Sequence, residues 1–405
     1  MHPQPRPGGL NSPEWTLKKV AAYTAGAAAI AYAAFGDIPP KIPGPVEAVE
    51  NFVFGDSSDC YYADTANELR IGSMVLVMVE PHEFDQARDT MSANFISNWS
   101  ITTSESSLTD TATYAGEQLF VGDATRALMD DVSEATGVSR ITFALDEEGG
   151  VVQRTGNLSG FPDIAAAADQ DPSNIYATFQ NHGENLSEQL GVTMVFGPVT
   201  DINQGGSIGN RSYGSNAEEV IADASRVISG LHEAGVDSVT KHYPGYGSVV
   251  ADTHIDVGHT VDFASLQSNE LAVHQQLIST ASPDGLMASH AITDGLTNGR
   301  PASISPEVYS LAESQGFNGV MITDALNMGG LLNYLGYEAG SDEGQAEAAI
   351  LAVQAGADIV IVELEAGDDT VAALTQAVAD GTISQARIDE ASANVFEQKG
   401  YELCS

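Results

Sequence analysis

The sequence predicts an α/β fold, a (β/α)8 barrel of the TIM type that forms a single domain. Short apolar segments rich in β-branched residues recur between stretches with helical patterning, which is typical of parallel α/β proteins. Most of these segments are continuously apolar, as expected of strands covered on both faces. The 405 residues are enough for one barrel with terminal extensions.

Eight candidate strands can be placed along the chain. Six are clear: residues 74–79, 141–145, 193–199, 285–288, 319–323 and 357–362. A seventh, at 236–240, is interrupted by Asp237 and Ser238 and is placed mainly by its position. The eighth is expected at 95–102, followed by a Ser/Thr-rich loop at 102–113. Between the strands, residues 217–234 and 342–355 are predicted to be helices.

Residues 1–36 have the features of a secretion signal or signal anchor. Basic residues precede an alanine-rich apolar run at 20–35, which is short for a membrane span of about 20 residues. Ala31-Tyr32-Ala33 then offers a small-x-small cleavage site. We expect the protein to be secreted or held at the cell surface, with no integral membrane segment beyond this possible anchor.

Residues 37–60 are predicted to be a linker, because four prolines fall within 38–45, and residues 61–405 to be the barrel. Cys60 and Cys404 are the two cysteines of the chain. Barrel termini often lie close together, so the pair could form one disulfide in an oxidising compartment, or stay as two free thiols. No metal site is expected, because the chain lacks both four thiolates and a His-Glu-x-x-His pattern.

The charge is strongly acidic, with 15 Lys and Arg against 56 Asp and Glu, a formal charge of −41. Such a surface repels nucleic acid and anionic lipid, so neither is expected as a partner. The charge is compatible with an adaptation to solubility or salt that has no bearing on the substrate. It also favours a neutral ligand.

Charged or polar side chains stand at or just past the carboxyl ends of several predicted strands. These residues are Asp146, Asp201, Lys241, His242, His290 and Asp324. A buried charge is costly unless it faces a site or a partner, and barrel enzymes carry their chemistry at this end. Any one of them would fit a structural ion pair, but the set predicts a pocket.

Five segments carry a resemblance to a known family. They are DEEGGVVQR at 146–154, FGPVTDI at 196–202, IGNRSYG at 208–214, KHYPGYGSVVADTH at 241–254 and ITDALNM at 322–328. In this order they resemble the motifs of bacterial β-N-acetylglucosaminidases of glycoside hydrolase family three, over roughly residues 71–399. The resemblance implies a retaining, exo-acting glycosidase that needs no cofactor and acts on N-acetylglucosamine-containing glycans, either peptidoglycan fragments or chito-oligosaccharides. We expect a monomer.

The resemblance also implies roles for individual residues. Asp324, which directly follows a predicted strand, matches the nucleophile, and His254 backed by Asp252 matches the proton donor. An imidazole titrates near neutrality, so it can donate a proton and later accept one. Five residues match positions that contact the sugar: Asp146, Arg154, Arg211, Lys241 and His242.

Two positions depart from the family pattern. Tyr246 stands where a second loop histidine is usual, and Asn210 replaces an Asp that could orient Arg211. Two other functions stay open at this point: a glycoside phosphorylase, since a histidine donor does not repel phosphate, and a catalytically silent glycan-binding protein. If His254 only binds substrate, Glu147 and Glu148 are the nearest alternative donors.

Overall fold

The structure, a computed structural model, describes residues 60–61, 65–102, 108–161, 164 and 171–404. The predicted signal, its cleavage site and all of the predicted linker but Cys60 lie outside the described residues. Eight parallel strands form one sheet: β1 (Val75–Val79), β2 (Asn98–Ile101), β3 (Thr142–Leu145), β4 (Met194–Val195), β5 (Asp237–Tyr243), β6 (Gly285–Ala288), β7 (Val320–Thr323) and β8 (Val360–Glu363).

The strands follow one another around the sheet in chain order, and β8 pairs in parallel with β1. A parallel bridge between Ile322 and Ile359 joins β7 to the segment that enters β8. The sheet therefore closes into a barrel, and the predicted (β/α)8 fold is confirmed. All eight predicted strands are present, although β5 runs on to Tyr243, so that Lys241 and His242 belong to the strand itself.

Helices alternate with the strands. They are α1 (Asn67–Ser73), α2 (Phe84–Asn94), α3 (Val121–Thr136), α4 (Ile175–Asn185), α5 (Ala217–Glu233), α6 (Phe263–Gln267), α7 (Glu270–Thr280), α8 (Pro306–Ser314), α9 (Gly329–Leu335), α10 (Asp342–Ala355), α11 (Gly367–Ala379) and α12 (Gln385–Gln398). The two helices predicted from sequence correspond to α5 and α10. Each of these begins at a polar cap: Asn216 accepts from the Glu219 N–H at 3.1 Å and Ser341 from the Gly344 N–H at 3.1 Å.

The core has two layers, which explains the continuously apolar strands. In β1 the residues Val75, Val77 and Val79 pack outward against the helices, whereas Leu76 and Met78 point into the barrel. Strand side chains alternate between faces, so a strand buried on both faces needs apolar residues throughout. The less apolar β2 is held by Trp99, whose ring stacks on Phe143 with centroids 4.1 Å apart.

The prediction of a loop at 102–113 is wrong for its last three residues, which belong to a strand. Residues Thr111–Tyr114 pair in antiparallel with Glu117–Phe120. The hairpin forms because Ala112 and Tyr114 are buried while their threonine neighbours face solvent. Its two-residue turn, Ala115-Gly116, has positive φ at both positions, as a type I′ hairpin turn requires.

The two ends of the described chain meet. Cys60–Tyr61 forms a parallel pair with Glu402–Leu403, and Cys60 and Cys404 form a disulfide with their Cα atoms 5.2 Å apart. The first of the two alternatives for these cysteines is therefore the one observed. Within the described part of the chain, no helix combines the length and apolar character needed to cross a membrane.

Candidate active site

A cavity of about 270 Å³ opens at the carboxyl end of the barrel strands. All eight residues singled out from the sequence line it: Asp146, Arg154, Arg211, Lys241, His242, Asp252, His254 and Asp324. Asp201 and His290 also stand past the carboxyl ends of strands, but they lie behind the residues that line the cavity. Asp201 contacts His242, and His290 contacts Ala325. The eight residues given roles thus meet in one cavity, whereas four of the six strand-end residues line it.

One side of the cavity is an alternating network of charges. Lys241 Nζ lies 2.6 Å from Asp146 Oδ1 and 2.6 Å from Glu148 Oε1. Arg154 donates to Asp146 at 3.2 Å. Burial alone would raise the pKa of Asp146, but the Lys241 ammonium and the Arg154 guanidinium outweigh it and hold the pKa far below its usual range. Asp146 is therefore ionised and can accept hydrogen bonds from sugar hydroxyls.

Glu148 lines the cavity, although the sequence indicated it only as an alternative proton donor. It accepts two hydrogen bonds from Arg211, both at 2.8 Å, and so orients this guanidinium. Burial would raise the pKa of Glu148, but Lys241 and Arg211 outweigh it and keep the pKa low. A carboxylate held in its ionised form cannot serve as a proton donor.

Glu147, the other alternative proton donor, is fully buried and faces away from the cavity. It accepts from the Thr155 N–H at 2.8 Å, and its other oxygen lies 2.9 Å from His182 Nε2. Glu147 therefore shapes the loop that carries Arg154. Both glutamates thus hold neighbouring residues in place: Glu147 contacts Thr155 and His182, and Glu148 contacts Arg211.

His242 is fixed from behind by a buried carboxylate. Its Nδ1 lies 2.7 Å from Asp201 Oδ2, and the other oxygen of Asp201 accepts from the Tyr246 N–H at 2.8 Å. Deeper still, Glu270 accepts from the N–H groups of Gly247 at 2.7 Å and Ile202 at 3.1 Å. Burial and the charge of Asp201 raise the pKa of Glu270 to about 8.

Sequence reasoning marked Asp201 by its place at a strand end but gave it no role. Glu270 carried no recognisable signal, because a single acidic residue in a helix is usually exposed to solvent. Only the packing of α7 against the loops after β4 and β5 makes it a site residue.

Asp324 directly follows β7, and the local backbone holds it at the cavity. Its own N–H donates to Ala288 O at 2.9 Å, and the Ala325 N–H donates to Asp324 Oδ1 at 2.9 Å. His290 Nε2 contacts Ala325 O at 2.8 Å and steadies the same turn. Burial would raise the pKa of Asp324, but the charge of nearby groups, above all His242, lowers it. The carboxylate is thus ionised, as a nucleophile must be.

Asp252 and His254 form a pair on the loop after β5. His254 Nδ1 lies 2.7 Å from Asp252 Oδ1, and the side chains are 67% and 54% exposed, His254 and Asp252 respectively. The hydrogen bond from His254 lowers the pKa of Asp252, which stays ionised. Since Nδ1 is engaged, Nε2 is the ring atom that can transfer a proton. The turn needed to bring these two residues together, which sequence could not establish, is present.

This loop is docked on the helix that follows Asp324. The N–H groups of Gly329 and Gly330 donate to His254 O at 2.9 Å and to Thr253 O at 2.8 Å. The phenol of Tyr246 lies 3.1 Å from Thr253 Oγ1 and accepts from the Thr253 N–H at 3.3 Å. The departure at position 246 therefore supplies a hydroxyl that anchors the loop.

Comparison with known proteins agrees with this geometry. Residues 90–397 match the family model described as the glycosyl hydrolase family 3 N-terminal domain. The chain belongs to this family, and it is a glycosidase.

Two relatives indicate which kind of glycosidase the chain resembles. The chain is 32% identical over 238 residues to a β-hexosaminidase of Tolumonas auensis, a match that spans 55% of this chain and 66% of that protein. It is 31% identical over 274 residues to β-hexosaminidase LpqI of Mycobacterium tuberculosis, across 64% of this chain and 68% of the relative. The matches thus span about two thirds of the length of these curated relatives.

Two solved structures cover more of the fold. A β-N-acetylhexosaminidase from Beutenbergia cavernae is 28% identical with a TM-score of 0.70, over 84% of this chain and 99% of that one. A family 3 glycosyl hydrolase from Mycobacterium smegmatis is 27% identical with a TM-score of 0.71, over 84% and 98%.

Proposed function

We propose that this protein is a retaining exo-β-N-acetylglucosaminidase that hydrolyses terminal β-linked N-acetylglucosamine. One observation carries the proposal: an ionised Asp324 and the Asp252–His254 pair line the same small cavity as a set of hydrogen-bonding groups suited to a sugar. The β-hexosaminidase relatives support the choice of sugar.

The reaction has two steps. Asp324 attacks the anomeric carbon and forms a covalent glycosyl-enzyme, while His254 Nε2 gives its proton to the departing oxygen. Asp252 orients the ring and stabilises the imidazolium form. His254 then removes a proton from water as the water attacks the same carbon and releases the sugar with retained configuration. Asp146, Arg154, Arg211, Lys241 and His242 hold the hydroxyl groups of the sugar.

The relatives favour water over phosphate as the acceptor. The proteins compared above include β-hexosaminidases and a β-N-acetylhexosaminidase, which are named for hydrolysis. Their names support hydrolysis rather than phosphorolysis, and the intact catalytic set supports an enzyme rather than a silent binding protein.

The test is turnover of a chromogenic aryl N-acetylglucosaminide, run with and without phosphate, by the wild type and Asp324→Asn. We expect release of free sugar in both buffers, and a loss in Asp324→Asn of several orders of magnitude, roughly 5 kcal/mol or more of barrier. Asp369→Asn, a change of the same chemistry at an exposed position of α11 outside the cavity, is the matched control. A tenth of wild-type activity in Asp324→Asn, or sugar 1-phosphate as the product, would contradict the proposal.

We also propose that the protein is a monomer exported from a bacterial cell. The disulfide between Cys60 and Cys404 supports an oxidising compartment, in line with the signal predicted at residues 1–36. N-terminal sequencing of protein from its native host is expected to begin after the predicted cleavage site near Ala33. A start at Met1 or His2 would exclude cleavage of the signal.

A further inference from the structure

We infer that Glu270, which lies outside the cavity, is a positioning residue of the active site: its buried carboxyl group clamps the loop after β5 to the loop after β4 and so holds His242 at the cavity. The kinetic test of this inference rests on the proposed function, whereas its structural test needs no turnover. Glu270 is the first residue of α7 and is completely buried, yet the two-step reaction gives it no part.

One oxygen of Glu270 joins the two loops. Oε1 accepts from the Gly247 N–H at 2.7 Å and from the Ile202 N–H at 3.1 Å. Both donors belong to the main chain, so the contact fixes the course of the loops and not a side chain that could rotate away. Loss of this oxygen would free two buried N–H groups that it now satisfies, which is costly.

The loop after β5 is shaped to admit this carboxyl group. A Cβ added at Gly245 would lie 2.7 Å from Glu270 Oε2, and one added at Gly247 would lie 2.6 Å from Glu270 Oε1. No side chain fits at such distances, so the two glycines let the backbone of the loop rest directly on Glu270. The glycines of this segment therefore have a structural cause in α7.

Two short links connect the clamp with the cavity. Ile202 directly follows Asp201, whose Oδ2 lies 2.7 Å from His242 Nδ1. Asp201 also accepts from the N–H groups of His242 at 3.2 Å and Tyr246 at 2.8 Å. Burial would raise the pKa of Asp324, and the charge of His242 is foremost among those that lower it. A displaced clamp would therefore shift a sugar contact and weaken the support that keeps the nucleophile ionised.

The charge state of Glu270 makes the clamp sensitive to pH. Burial and the charge of Asp201 raise the pKa of Glu270 to about 8. The other side chains packed around this pair are His242, the apolar Leu266 of α6, and His274 one turn along α7. Burial lowers the pKa of His274 to about 4, so this neutral ring offers no charge to balance an anion. Any arrangement that admits water to Glu270 ionises more readily, so a pH above about 8 favours release of the clamp.

Three variants of Glu270 separate position from charge. Glu270→Gln keeps an oxygen that can reach both N–H groups and removes the acid, Glu270→Asp keeps the acid but is one carbon too short, and Glu270→Ala removes both. With the aryl N-acetylglucosaminide below about pH 7, we expect kcat/KM of Glu270→Gln within about threefold of the wild type. Glu270→Asp and Glu270→Ala should lose about tenfold or more. Rates are expressed per folded molecule, with the folded fraction measured by circular dichroism.

The pH profile gives a readout that a purely structural role would not move. A dinitrophenyl N-acetylglucosaminide needs no proton in its first step, so loss of the His254 proton does not limit its kcat/KM. We expect this kcat/KM to fall severalfold between about pH 8 and 9 in the wild type and to stay level in Glu270→Gln. Glu313→Gln, at an exposed position of α8 outside the cavity, is the matched control and should follow the wild type.

The position of His242 can be read without turnover. The proton between His242 Nδ1 and Asp201 is expected to give a downfield imidazole N–H signal in NMR spectra of protein with isotope-labelled histidine. The signal is assigned by its absence in His242→Asn. Glu270→Gln should keep it, whereas Glu270→Asp and Glu270→Ala should shift or lose it.

Three results would overturn the inference: full kcat/KM in Glu270→Ala, a wild-type pH profile in Glu270→Gln, or an unchanged His242 signal in Glu270→Ala. If the wild type turns over no N-acetylglucosaminide, the proposed function fails, but the His242 signal still decides whether Glu270 positions this ring.

Discussion

The docking of the catalytic loop on α9 yields a sharp prediction about Gly330. A Cβ added at this position would lie 2.7 Å from Asp256 O and 2.7 Å from Thr253 O, closer than carbon and oxygen can approach. Both are backbone atoms, so a side-chain rotation cannot relieve the clash. In Gly330→Ala the loop that carries His254 must therefore move off the helix, while the helix itself gains a better helix former.

The size of the effect follows from the contacts that are lost. Movement of the loop breaks the hydrogen bonds from Gly330 to Thr253 and from Gly329 to His254, each of about 1 kcal/mol. A loss of about 2 kcal/mol corresponds to roughly a thirtyfold drop in the docked population. Since His254 can protonate the leaving group only from the docked loop, kcat/KM for chitobiose should fall about ten- to thirtyfold.

The assay is a series of substrates with leaving groups of decreasing pKa, from chitobiose to a dinitrophenyl glycoside. For the latter, kcat/KM reports the first step, which needs no proton, and it should change little. Gly156→Ala is the control, because its added Cβ would find its nearest neighbour at 3.5 Å, an ordinary contact. An equal loss on all leaving groups, or no loss on chitobiose, would refute the view that this contact positions the donor.

Three further predictions follow. His254→Ala should slow substrates with poor leaving groups most, and Asp252→Asn should give a milder form of the same pattern; an equal loss on every substrate would make His254 a binding residue. Glu270 has a folded pKa of about 8, raised above its unfolded value, so its stabilising effect is complete at low pH and is lost as the pH rises from about 4.5 through 8. Denaturant titrations should therefore show the wild type losing stability relative to Glu270→Gln across that range, and parallel curves would contradict this. Finally, the melting temperature should rise by roughly 5 °C or more between 0.1 and 1 M NaCl, because salt screens the repulsion of a net charge of −41; a flat or falling curve would show that the acidic groups are locally balanced.

Much of the site could be predicted from the chain because its residues occur in short segments, each tied to one strand end. In a parallel barrel every strand runs the same way, so residues that end different strands must meet at one face. This is why Asp146, Lys241 and Asp324, which lie far apart in sequence, could be expected in one cavity. The barrel strands were predictable for a related reason, since burial on both faces demands continuous apolar runs.

The sequence by itself thus determined the barrel, the face that holds the chemistry and the candidate residues, because these follow from local patterns and from the direction of the strands. Only the tertiary structure decided which partner each side chain meets. It pairs Glu148 with Arg211 and places Glu270 beneath the loops after β4 and β5. It also joins Cys60 to Cys404 in a disulfide and brings the Tyr246 hydroxyl into a hydrogen bond with the Thr253 N–H. Three of these contacts join segments tens to hundreds of residues apart, and the fourth depends on how the loop after β5 turns back on itself. No local pattern in a single chain encodes that packing.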